Sequence, residues 1–187
     1  MTPARTTVLH ARVIPPRHRQ PGTDHAWRIL ENVREWTKHA EAKAATTLAA
    51  AAALGGVLYT LVTGTDDRSA WFDAAAASCA LCVLGSGLTA GMALWPRPRL
   101  RGSSEPDSPL HYDHIARRHK GSSAEYRARL TDLLQDEEAL VSAIADQAWA
   151  NAQVAHHKYS WVSRSVALLL TSLATLAVAA TLSAARI

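Results

Sequence analysis

SSAEYRARLTDLLQDEEALVSAIADQAWANAQVAHHKYSWVSRSVALLLTSLATLAVAATLSAARI, residues 122–187, is the stretch whose reading decides the fold. It opens on Ser122 with Glu125 three residues later, a capping box in which each side chain satisfies an orphan N–H at a helix start. No Pro or Gly follows before Ala185, so nothing covalent breaks a helix. Leu130, Leu133, Leu134, Leu140, Val141, Ile144, Ala148, Ala152, Ala155 and Tyr159 recur at steps of three and four, with acids between them. After Arg164 the charges stop until Arg186. The pattern predicts one helix over 122–185 that begins in water and ends in lipid, with an aqueous part of about 60 Å at 1.5 Å per residue.

Two further uncharged runs, 44–62 and 74–94, are near the length a bilayer requires. Three such stretches are too many for so small a polar remainder to bury, which excludes an ordinary soluble domain. The expected fold class is an all-α membrane protein with three transmembrane helices and a cytosolic helical stalk, the third span continuous with a long cytosolic helix.

The expected organisation follows. Residues 1–23 form a disordered basic tail, 24–43 a cytosolic amphipathic helix capped by Thr23 or Asp24, and 44–62 the first span. An external turn covers 63–73 and the second span 74–95. A basic linker covers 96–121, the long helix 122–164 and the third span 165–185. Lys and Arg crowd the segments before the first span and between the second and third, whereas 63–73 holds only Arg68 beside Asp66, Asp67 and Asp73. By the positive-inside rule the N-terminus and the 96–165 segment are cytosolic and the C-terminus is external. The Arg-rich start has no apolar signal core. It fits a tail on anionic lipid, with an organellar transit peptide as the alternative.

The spans are rich in small residues. Ser78, Cys82, Ser86 and Ala90 make one stripe, and Gly87 with Gly91 makes a GxxxG pair suited to close helix packing and self-association. Hydroxyls of the third span are expected to bond their own backbone one turn back, or to line a weakly polar path. Cys79 and Cys82 lack a nearby cation to favour redox chemistry. His111, Asp113, His114 and His119 have non-specific loop spacing, and the Asp136–Glu138 run reads as a solvated face. No metal, cofactor or catalytic set is expected, and no enzyme motif is present in the sequence.

Trp36-Thr37-Lys38-His39-Ala40-Glu41-Ala42-Lys43-Ala44-Ala45 stands where the first helix enters its span. Together with Pro109-Leu110-His111-Tyr112-Asp113-His114-Ile115, Glu125-Tyr126, Leu130 and Lys158-Tyr159-Ser160-Trp161, it resembles the bacterial Pycsar transmembrane effector family. The resemblance covers about Ala26 to Ala180 and departs at His111 and His114. It implies Glu41, Lys43, Lys158 and Tyr159 at the membrane junction. It also implies a cyclic pyrimidine nucleotide messenger, cCMP or cUMP, made by a companion nucleotide cyclase. The activated effector would impair the inner membrane and cause abortive infection.

Independently of the resemblance, a cyclic nucleotide needs cations and aromatic faces, and Tyr112, Arg117, Arg118, Lys120 and Trp161 are the candidates. The expected partners are this nucleotide, the bilayer, the cyclase and other copies in a homo-oligomer, with no nucleic acid. The alternative is a passive membrane scaffold whose stalk docks a protein.

Overall fold

The computed structural model describes residues 21–66, 68–95 and 110–185, all helices and short turns. The expected basic tail to residue 20, Asp67, the first half of the 96–121 linker and residues 186–187 lie outside the described residues. The helices are α1 (Pro21–Thr63), α2 (Ala70–Leu94), α3 (Tyr112–Arg118), α4 (Ser123–Gln135) and α5 (Glu137–Ala185). Three of them, α1, α2 and α5, are long and apolar enough to cross a membrane.

The predicted unbroken helix from residue 122 is two helices. Asp136 has extended backbone, φ −106° and ψ 103°, and its N–H bonds Leu133 O at the close of α4. Its carboxylate then accepts from the Ala139 N–H at 3.0 Å and caps α5. Asp is a strong N-cap, and Glu137 and Glu138 in the first turn complement the helix dipole. The acidic run is a helix start as well as a solvated face, with Asp136 and Glu138 exposed. The rod above the uncharged stretch, Glu137 to Arg164, is about 42 Å rather than 60 Å. The capping box at α4 is half made. Ser122 Oγ accepts from the Glu125 N–H at 3.3 Å, while the Ser122 N–H donates to His119 O. Gly121 takes φ +93° just before, a conformation a side chain would resist.

α1 starts at Pro21, earlier than expected, and Pro suits a first turn because it has no N–H to leave unpaired. Thr23 does not cap it; its hydroxyl donates to Glu137 Oε1 at 2.8 Å. At 1.5 Å per residue α1 spans about 64 Å, α5 about 73 Å and α2 about 37 Å. Two helices therefore project well past the third.

Burial follows steps of three, four and seven on every long helix. Leu30, Val33, Ala40, Ala44, Thr47, Ala51 and Leu58 are buried on α1, and Phe72, Ala76, Cys79, Ser86, Ala90 and Ala93 on α2. On α5 the same spacing runs from Ile144 through Ala155, Val162, Ser165 and Ser172 to Ala179. A seven-residue repeat keeps one seam facing its partners and imposes a left-handed supercoil. The stripe expected at Ser78, Cys82, Ser86 and Ala90 is buried only at its last two members. Steps of four alone drift about 40° each around a helix of 3.6 residues per turn.

α1 and α5 run parallel. Thr23 meets Glu137, Glu41 meets Lys158, and Thr65 Oγ1 lies 3.0 Å from Ser183 Oγ. α2 returns antiparallel between them. Its Ser86 hydroxyl donates to Ser165 O at 2.9 Å, and Cys79 Sγ donates to Ser172 O at 3.3 Å. Apart from Ser183, the hydroxyls expected to bond one turn back do so: Thr171, Ser172, Thr175 and Thr181. Within the helices the tightest glycine contact is at Gly85, where a Cβ would stand 3.2 Å from Leu168 Cδ1. Gly87 faces Leu48 at an ordinary 3.7 Å, and Gly91 has nothing within 4 Å. The close approach within the protomer is two residues before the GxxxG pair, on a different side of α2.

Candidate functional site

Two layers of side chains join α1 to α5 where the apolar spans begin. In the lower layer Ala40, Ala44, Ala93 and Val162 are buried together, with Leu94, Tyr159 and Trp161 against them. Alanines on α1 leave room for long side chains from α5. The Lys158 ammonium reaches Glu41 Oε1, and its side chain is only 12% exposed. Lys43 stands 5.7 Å above the Tyr159 ring, within cation–π reach. The four residues marked for the junction therefore assemble as two pairs bridging one helix interface. Trp161 Nε1 donates to His157 Nε2 at 3.0 Å, and Arg164 lies 5.0 Å over the Trp161 ring.

The upper layer is polar and open. A cleft of about 370 Å³ lies between α1 and α5, lined by Arg34, Thr37, Lys38, Leu110, His111, Gln147, Asn151 and Val154. Arg34 and Lys38 are one turn apart on α1, and so are Gln147 and Asn151 on α5. Gln147 is buried, and its Nε2 donates to Asn151 Oδ1 at 3.2 Å. Lys38 donates to Glu35 at 2.7 Å on the exposed face. That hydrogen bond, helped by the opposite charge, holds the Glu35 carboxyl below its ordinary value and the Lys38 ammonium above its own. The floor toward the far end is apolar, built by Leu30, Leu140, Ile144 and Ala148 with Leu110 packed on them.

The sequence candidates for ligand contact divide. Tyr112 opens α3 directly after His111, though its side chain lies outside the described residues. Arg117 and Arg118 close that helix on its exposed side, and Lys120 follows, also exposed. Trp161 belongs to the lower layer, about 15 Å along α5 from Asn151. The structure does not bring Trp161 to the cleft. Arg34, Lys38, Gln147 and Asn151 were not read as a site from sequence. Their signal is two i, i+4 polar pairs, one set into the alanine-rich buried stripe of α5.

Fold and layers together define a helical membrane protein of three candidate spans, with two long helices carrying a polar, ligand-sized cleft beyond them. A family model described as the Pycsar effector protein domain matches residues 25–185. The chain is also 34% identical over 158 residues to the Pycsar effector protein PtPycTM of Propioniciclava tarda, covering 84% of this chain and 78% of that protein. The chain belongs to the Pycsar transmembrane effector family, whose members are cyclic-nucleotide-activated effectors of antiphage defence. No solved structure matches it.

Proposed function

We propose that this protein senses a cyclic pyrimidine nucleotide, cCMP or cUMP, from a companion cyclase and then impairs the inner membrane, giving abortive infection. The observation that carries the reading is continuity. α1 and α5 each run unbroken from the polar cleft through the Glu41–Lys158 layer into apolar spans. A ligand that binds one packing of this helix pair better than another shifts the pair, and unbroken helices carry the shift into the bilayer. The N-terminus and the polar half face the cytosol and the C-terminus faces outside, as the Lys and Arg bias directs. Arg117, Arg118 and Lys120 are exposed cations that follow His111 of the cleft by a few residues, and they would attract a phosphate toward it. Trp161 acts at the junction. Trp36 and Trp149 stand exposed on the polar half, which supports assembly of several copies that would cover them.

The test is full-length protein in dye-loaded anionic vesicles, oriented by cytosolic-only reporter fusions. A fusion after Leu110 should be active, and fusions at Asp67 or after Ile187 silent. Micromolar cCMP or cUMP should release dye. A passive scaffold would bind no cyclic nucleotide and leak nothing.

A further inference from the structure

We propose that the cleft between α1 and α5 is the nucleotide receptor site, with Arg34 and Lys38 holding the phosphodiester and the Gln147–Asn151 pair reading the edge of the base. This rests on the reading of the chain as a cyclic-nucleotide effector. The cleft's volume of about 370 Å³ lies near the lower limit of ligand pockets, about 300–1,000 Å³, and suits one mononucleotide.

The two walls differ in chemistry. On α1, Arg34 and Lys38 line the same cleft one turn apart; Lys38 is held by Glu35 on the exposed side and would turn from it to meet a phosphate, while a guanidinium presents paired donors that match two phosphate oxygens. A cyclic phosphodiester carries one negative charge and two free oxygens. On α5, Gln147 is 5% exposed in a seam otherwise built from Ile144, Ala148 and Ala155. An amide costs free energy in such a seam unless it is hydrogen-bonded; the bond to Asn151 meets that cost and sets an amide pair in the cleft wall. Side-chain amides both donate and accept, and the edge of either pyrimidine carries both donors and acceptors, in an order that differs between cytosine and uracil. Leu110 and Val154 supply apolar surface for the faces of a flat ring. The cleft also touches both helices that continue into the spans, one or two turns before the Glu41–Lys158 pair. An occupant therefore sits where relative motion of α1 and α5 changes its contacts, which is the differential affinity that switching requires.

The test uses the full-length protein in nanodiscs and calorimetric titration with cCMP, cUMP, 3′,5′-cyclic AMP and inorganic phosphate. Arg34→Ala should weaken the best nucleotide about 10- to 100-fold, the size of a lost charge-assisted hydrogen bond. Lys38→Gln should weaken it about fivefold or more; this exposed side chain can be changed without unfolding the protein. Asn151→Leu should collapse the preference between cCMP and cUMP. Arg117→Ser with Arg118→Ser should change affinity by less than about threefold, as for rim charges. If wild type binds a nucleotide and Arg34→Ala, Lys38→Gln and Asn151→Leu all bind it equally well, the cleft is the wrong site and the effector reading stands. Loss confined to the Arg117, Arg118 double variant also overturns the cleft. If wild type binds none of the three nucleotides, the effector reading fails and takes the cleft with it.

Discussion

Above the Glu41–Lys158 pair two of the long helices pack against each other; below it all three do. In the lower half, α2 fills the angle between α1 and α5, and small residues bring the backbones close enough for Ser86 and Cys79 to bond carbonyls of α5. In the upper half the shared core is small: Leu30, Leu140, Ile144 and Ala148, with Ala26, Leu110 and Leu133 at its edge. Burying a Leu or Ile side chain contributes about 1.5–3 kcal/mol, so a few such residues leave a two-helix stalk easily repacked. The lower half is interlocked by geometry, because apolar surface gains little by leaving lipid and close packing must do the work. A structure built this way suits the proposed function, in which the upper end repacks on a ligand and the lower end carries the change.

The largest expected effect comes from cutting that connection. Inserting Gly-Gly-Ser between Ser160 and Trp161 falls just after Lys158 and just before the buried Val162. It turns the register by about 300° if helical and more readily breaks the helix. Membrane insertion and nucleotide binding should persist, while depolarisation on cyclase co-expression disappears. Ser160→Ala, which loses only a bond to His157 O, should depolarise normally. Depolarisation by the insertion variant at the wild-type level would falsify the rod mechanism.

Next in size is Gly85→Leu. Its side chain crowds Leu168 and should cost about 1–3 kcal/mol of overpacking, read as a lower melting temperature in detergent. Gly91→Leu faces open space within the protomer and should leave melting unchanged while weakening crosslinked oligomers, alone or with Gly87→Leu. Oligomers that survive both changes would restrict these glycines to the protomer.

Smaller is the junction pair. Glu41→Gln leaves the Lys158 ammonium largely buried, but Glu41 itself is 45% exposed and solvent screens the pair. The expected loss is about 1 kcal/mol. Glu41→Lys alone should cost more, and adding Lys158→Glu should restore most of it. A double-mutant cycle with no coupling would remove this pair from the list of forces aligning the helices.

The smallest effect is at the start of α5. Asp136→Ala removes the cap and should cost about 1 kcal/mol of stalk stability. Faster hydrogen exchange should be confined to the first turns of α5. Exchange that rises equally through the spans would mean the two halves do not behave separately.

Much of this was legible in the chain. Charge-free runs of bilayer length, the absence of Pro and Gly before the first and third spans, and the small residues are local facts, and they specify long helices crossing from polar to apolar surroundings. Glu41, Lys43, Lys158 and Tyr159 could be marked because the short stretches around them resemble the family. The break at Asp136 was also written locally, as an N-cap residue followed by two glutamates, but an apolar stripe running past it masked the signal.

The cleft was not legible. The sequence shows that Arg34 pairs with Lys38 and Gln147 with Asn151 on their own helices, since a helix places residues four apart on one face. It cannot show that these two faces meet. That depends on the parallel register of α1 against α5, which is fixed by packing between positions more than a hundred residues apart: Thr23 on Glu137, Glu41 on Lys158, Thr65 on Ser183. A slip of one turn would leave every local pattern intact and dissolve the site. The sequence by itself determined which segments are helical and which of them are apolar, because those properties depend on near neighbours. Only the tertiary structure decided where the two long helices align and what they enclose, because side-chain interlocking across the seam sets that alignment.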